Sequence, residues 1–159
     1  MKKTGYKQSD ADHTLFVKNK NKKITVLVVY VDDMVVTGND DEEIAKLQAM
    51  LTTEFELKDL GELKYFLGIE VSRSKTGINM CQRKYIPDLL AETGMLDCKP
   101  IDTPIETNHR LAILPNQVPT NKERYQKLVG KLIYLSHTRP DIAYVVSVVS
   151  RFMHAPSEE

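Results

Sequence analysis

Residues 24–38, ITVLVVYVDDMVVTG, set two adjacent acids between two apolar runs, and few local structures accommodate that pattern. The first run is rich in β-branched residues, the composition of a strand, and its unbroken apolarity predicts cover on both faces. Met34, Val35, Val36 and Thr37 read as a second, shorter strand, which Gly38 and Asn39 end. Pairing the two runs gives a hairpin with Asp32 and Asp33 at its tip. Neighbouring carboxylates repel unless a cation lies beside them, and hard divalent ions such as Mg²⁺ prefer carboxylate oxygens. Asp is also at home in turns, where its side chain bonds nearby backbone N–H groups. The pair therefore reads either as a metal site or as an ordinary turn.

Around this hairpin the chain predicts an α+β fold. Residues 1–13 are polar and predict a loop. Residues 14–18, TLFVK, predict a strand, and the lysine-bearing run 19–23, NKNKK, predicts a solvated turn. The first third thus reads as a three-stranded antiparallel meander. Asp40 with Glu43 has capping-box spacing, and Asp41, Glu42 and Glu43 suit the positive end of a helix. Ile44, Leu47, Leu51 and Phe55 recur on one face of that helix, predicted over residues 41–54 and packed on the sheet. Residues 63–72 predict a strand with Gly68 as a bulge or a point of close backbone approach. A turn at 74–77 and a returning strand at 78–82 follow. A helix is expected to begin near residue 85 or 86, so that Pro87 falls in its first turn, and to stop at Gly94.

Residues 97–119 hold four of the seven prolines and no sustained period, so they predict an extended linker. Thr120 with Glu123 predicts a capped helix with Tyr125, Leu128, Val129, Leu132 and Leu135 inward. Pro140 breaks it and starts another, with Ile142, Val145, Val146, Val149 and Phe152 as the apolar stripe. The basic residues Lys122, Arg124, Lys127, Lys131, Arg139 and Arg151 on this helical hairpin suit either phosphate contacts or a solvated face. The expected organisation is 1–96, a linker at 97–119, and a helical segment at 120–159.

The 159 residues suffice for one core or a domain with an appendage. Lys plus Arg equals Asp plus Glu at 22 each, so the net charge is zero, which argues against a strong self-sufficient nucleic-acid binder. No run is apolar enough to cross a membrane, and the charged N-terminus lacks the apolar segment of a secretory signal. An intracellular protein, cytoplasmic or nuclear, is expected, with Cys81 and Cys98 as reduced thiols.

The tetrapeptide Tyr30-Val31-Asp32-Asp33 on a hairpin resembles the catalytic YxDD motif of reverse transcriptases. Residues 58–70, KDLGELKYFLGIE, resemble the segment that follows this hairpin in the Ty1/copia-type retrotransposon branch. Residues 85–94, the triplet 98–100 (CKP), residues 125–135 (YQKLVGKLIYL) and residues 138–142 (TRPDI) continue the likeness over nearly the whole chain. The resemblance implies part of a polymerase palm, an antiparallel sheet with a packed helix, followed by a primer-grip-like hairpin and thumb- or connection-like helices. It implies two-metal nucleotidyl transfer with Mg²⁺ or Mn²⁺ held by Asp32 and Asp33. Lys58 is implied near the triphosphate, and Tyr30, Phe66, Leu67 and Gly68 near the primer. An RNA template, a DNA primer and other parts of the Pol polyprotein are the implied partners. The family palm also uses an aspartate on an earlier strand, and only 31 residues precede Asp32. Asp10 and Asp12 lack an apolar strand context. The chain is therefore expected to be a polyprotein fragment without polymerase activity alone. Two other readings are a non-catalytic module that binds nucleic acid or protein, and an unrelated metal-binding α+β domain.

Overall fold

The computed structural model describes residues 4–112 and 116–158. The fold is α+β, with two antiparallel sheets and four α-helices among the described residues. Its contacts divide it into two compact units, one running up to Phe66 and one from Leu67 onward.

The first unit is a four-stranded antiparallel sheet in the order β1 (Lys7–Gln8), β2 (Leu15–Lys20), β3 (Lys23–Tyr30), β4 (Asp33–Gly38). Helix α1 (Asp41–Phe55) follows, and a two-residue strand, β5 (Tyr65–Phe66), ends the unit. The register aligns Phe16, Leu27 and Val36 across three strands, with Val29 opposite Met34. These residues pack with Tyr6, Leu47, Leu51, Met50 and Leu57 into one core. The alternation of a strand puts every second residue on that side, so Leu27 is fully buried while Ile24 on the other face is 39% exposed. Only one face of β3 is thus deeply packed, not both. Run length cannot separate these cases, because β-branched residues suit a pleated surface on either side. The predicted turn at 19–23 narrows to Asn21 and Lys22, both at positive φ, with Lys20 paired to Lys23.

The N-terminal stretch is more than a loop. Lys7–Gln8 adds the strand β1, and Tyr6 beside it is buried. The Tyr6 hydroxyl donates to Glu43 Oε1 (3.2 Å), and Lys18 Nζ reaches the same oxygen at 2.8 Å while lying 5.4 Å from the Tyr6 ring centroid. Burial, then the negative Glu43, pushes the Tyr6 hydroxyl up to about 12. The Lys18 hydrogen bond holds the Glu43 carboxyl below its usual value. The folded protein therefore keeps Glu43 ionised to lower pH than the unfolded chain does. Its stabilising contribution is complete above the ordinary value of 4.5 and fades as pH falls below it. Tyr6 acts at the other end, where its contribution is complete below 10.0 and is lost as pH rises to about 12. Lys18→Met is expected to flatten the acid limb of a melting-temperature profile between pH 5 and 3. An acid limb unchanged from the parent protein would show that this triad does not carry it.

Helix α1 begins as its sequence dictates, with Asp40 accepting from the Glu43 N–H. Leu47 and Leu51 are buried, but Phe55, expected on the same face, is 57% exposed because the helix ends there and Glu56 turns into the left-handed region.

In the second unit, the strand predicted over 63–72 is broken. Leu67 and Gly68 form a turn with φ of +51° and +85°, so Gly68 is a turn residue and not a bulge. Strands β6 (Ile69–Ser74) and β7 (Gly77–Cys81) make an antiparallel hairpin. Helix α2 (Tyr85–Thr93) has Pro87 in its first turn and ends at Gly94, φ +70°, whose N–H returns to Ala91 and Leu90. Among described residues, 97–117 carry no helix or strand; residues 113–115 of the predicted linker lie outside the described chain. Helix α3 (Lys122–Ser136) is capped by Asn121, which accepts from the Arg124 N–H at 2.9 Å, and not by Thr120. Thr120 instead donates its N–H to the Pro156 carbonyl. A 3-10 turn, Pro140–Ile142, leads into α4 (Ala143–Ser150). The buried residues of this pair are Val129, Leu135, Val146 and Val148, whereas Leu128 is 36% exposed. Val148 escaped the predicted stripe because α4 is short and apolar on most sides. Tyr125 and Gln126 bond the Val149 and Met153 carbonyls at 2.8 Å each and tie α3 to α4 and to the chain just after it. Three of the basic residues have carboxylate partners: Lys127 and Lys131 with Glu92, and Arg139 with Asp141. The cysteines are free thiols, and no described helix is long and apolar enough to cross a membrane.

Candidate active-site cleft

The acidic hairpin tip is a two-residue turn. Tyr30 pairs with Asp33, leaving Val31 and Asp32 as the turn residues. Val31 has φ +51° and is 80% exposed. A β-branched residue in the left-handed region is strained, by roughly 1–3 kcal/mol. Such strain persists only where the surrounding ladder over-determines the turn, and here six register pairs of β3 and β4 do so.

Beside this tip lies a cleft of about 430 Å³. Its floor is apolar: Met34 and Val36 from β4, Leu51 from α1, Leu57 and Leu63 from the connector. Its rim carries Asp32, Asp33, Lys58, Glu62 and Lys64. The connector is shaped by Asp59, whose Oδ1 accepts the Gly61 N–H at 2.8 Å, with Gly61 at φ +75°. Of the residues expected to act together, the cleft joins Asp32, Asp33, Lys58 and Phe66. Tyr30 does not line it. Strand alternation sends Tyr30 to the face opposite Val29, where it is 49% exposed. Leu67 and Gly68 belong to the second unit. Gln48 and Thr52 also line the cleft and were not anticipated. They stand one position round from Leu47 and Leu51 on α1, so the helix register would have revealed them.

Two adjacent carboxylates on an exposed turn suit a single hard cation that keeps water in its remaining positions. Among the described residues no group of three or more His, Cys, Asp or Glu side chains is placed to hold a metal ion. A closed protein cage, or one for two ions, is not built by these residues.

Residues 1–107 match the family model described as reverse transcriptase (RNA-dependent DNA polymerase). The chain belongs to this family, in its Ty1/copia-type retrotransposon branch. It is 44% identical over 98% of its length to the retrovirus-related Pol polyprotein from transposon RE1 of Arabidopsis thaliana, of which it spans 11%. It is 35% identical over its whole length to the corresponding polyprotein from transposon TNT 1-94 of Nicotiana tabacum, spanning 13% of it. With the putative transposon Ty5-1 protein of Saccharomyces cerevisiae it shares 30% identity over 98% of the chain and 51% of that protein. No solved structure gives a significant match.

Proposed function

We propose that this chain carries the hairpin and grip elements of an RNA-directed DNA polymerase. In this reading residues 1–96 are part of a palm, 97–119 a connector and 120–159 a thumb- or connection-like segment. The observation that supports it is the shared cleft, where the Asp32–Asp33 tip faces the same space as Lys58 and Phe66.

In this reading Asp32 and Asp33 would contribute ligands to Mg²⁺ or Mn²⁺, which would supply activation of a primer hydroxyl and charge stabilisation of the leaving pyrophosphate. Lys58 supplies positive charge to a triphosphate and a proton to the leaving group. Phe66 contributes apolar contact at the cleft wall, and Tyr30, on the outer face of the tip, packs against the primer end. At the Leu67–Gly68 turn the backbone approaches the primer closely, which Gly68, having no side chain, permits. The template is RNA, the primer strand DNA, and the remaining carboxylate comes from another part of the Pol polyprotein.

The donor set favours a second reading for the chain by itself, a non-catalytic module that binds nucleic acid or a partner protein. Calorimetric titration with Mn²⁺ or Mg²⁺, against a variant carrying Asp32→Asn and Asp33→Asn, separates the readings. Saturable binding on the order of millimolar ion or tighter, absent from the variant, is expected of a working half-site. Identical titrations of both proteins would leave the pair as turn residues and favour the binding module. No primer extension by the pure chain is expected, and extension on a primed RNA template that Asp32→Asn abolishes would overturn that expectation.

A further inference from the structure

The geometry points to Tyr134, on α3, as a positioning residue that sets the Leu67–Gly68 turn for contact with a nucleic-acid backbone. Both turn residues have positive φ, +51° and +85°. Glycine adopts this freely, but leucine does not, so something outside the dipeptide must hold Leu67 there. The Tyr134 hydroxyl donates to the Leu67 carbonyl, across 67 residues of sequence. The Tyr134 ring is fixed in turn. It meets Tyr85 edge-on at 5.3 Å and His137 at 6.1 Å between centroids, and the Tyr85 hydroxyl donates to the Lys131 carbonyl at 3.3 Å.

In the turn just past the end of α3, the Thr138 hydroxyl donates to Gln82 Oε1 at 2.7 Å. Gln82 is only 1% exposed and immediately follows β7. α3 and the turn that follows it thus hold the β6–β7 hairpin at both ends, through Leu67 just before β6 and Gln82 just after β7. The turn is thereby referred to a rigid helix and not left to its own weak preference. This rests on the proposal that Leu67 and Gly68 approach the primer strand. It adds that α3 decides whether they are in place to do so.

The test uses the full chain and its Tyr134→Phe and Tyr85→Phe variants. Phenylalanine at 134 keeps the ring contacts and removes only the hydroxyl. Hydrogen exchange of the amides at 67–69 is expected to quicken about tenfold in Tyr134→Phe, the loss of one well-made hydrogen bond, with α1 amides unchanged. Tyr85→Phe, which leaves the Leu67 bond intact, is expected to exchange at 67–69 like the parent chain. A DNA primer annealed to an RNA template serves as the binding probe. Its affinity is expected to fall about three- to tenfold in Tyr134→Phe, with an unchanged salt slope because no charge is lost. Exchange at 67–69 that is equal in Tyr134→Phe and the parent, or quickened as much by Tyr85→Phe, overturns the positioning role. Quickened exchange with unaltered hybrid affinity overturns its service to binding. No hybrid binding by the parent chain, with the exchange effect present, removes the primer reading and leaves Tyr134 as the anchor of a turn with another use.

Discussion

Gly38→Ala is expected to destabilise the first unit on the order of 2–6 kcal/mol, once left-handed strain and a displaced backbone are combined. Gly38 has φ +153°, and a Cβ added there would lie 2.1 Å from the Ile24 carbonyl oxygen and 3.0 Å from Thr25 Cα. Neither neighbour is the free end of a flexible side chain. The Ile24 carbonyl accepts the Asn39 N–H at 3.0 Å, and the Ile24 N–H donates to Asn39 Oδ1 at 2.6 Å. Gly38 is where the chain leaves β4, crosses close over β3 and reaches the Asp40 cap of α1. A methyl group there pushes apart the two strands that present Asp32 and Asp33. Gly77→Ala is the informative comparison. Its φ, +152°, is nearly the same, but nothing lies within 4 Å of the added carbon, so it is expected to cost only the strain, about 1–3 kcal/mol. Urea midpoints followed by circular dichroism measure both. A Gly38→Ala midpoint equal to the parent's, or a Gly77→Ala cost as large, would remove the close-approach argument. Domains are stable by only about 5–15 kcal/mol, so the larger figure is a large share of any unit's stability.

Leu27→Ala is expected to cost about 2–5 kcal/mol, the range for emptying a fully buried leucine site. Leu27 is 0% exposed and sits between Phe16 and Val36 in the sheet, under Leu47 and Leu51 of α1. Those neighbours are held by strand ladders and a helix, and such a site collapses poorly around a cavity. Val28, the next residue on the same strand, points to the other face and is half-buried. Val28→Ala is expected to cost less than half as much. Equal costs at the two positions would mean that both faces of β3 are packed in solution, as its unbroken apolar run first suggests.

The Tyr30-Val31-Asp32-Asp33 hairpin, the Asp40-capped helix, the Gly94 stop and the helices on either side of Pro140 were all legible in the sequence. Each follows from local rules: β-branched runs, a cap three residues before its N–H, a glycine able to turn left-handed, a proline that cannot continue a helix. The family, too, was legible, because short runs such as YVDD and KDLGELKYFLGIE keep their order along the chain. What the sequence alone determined is therefore the bounds of these particular elements, and which two carboxylates share a tip.

Tertiary structure alone decided which residues stand together. Tyr6 became core, and residues 7–8 a strand, because β2 offered an edge to pair with. Asn121, not Thr120, became the cap, its Oδ1 accepting the Arg124 N–H, while the Thr120 N–H bonds the Pro156 carbonyl. Tyr30 stayed outside the cleft that Asp33, its register partner, lines. The connector brought Lys58 to the lining of the same cleft as the carboxylates, and Tyr134 reached Leu67 from 67 residues away. None of these is written in a local pattern. A pattern of three or four residues sets backbone torsions, whereas a contact between distant residues depends on how every intervening torsion and packed face adds up.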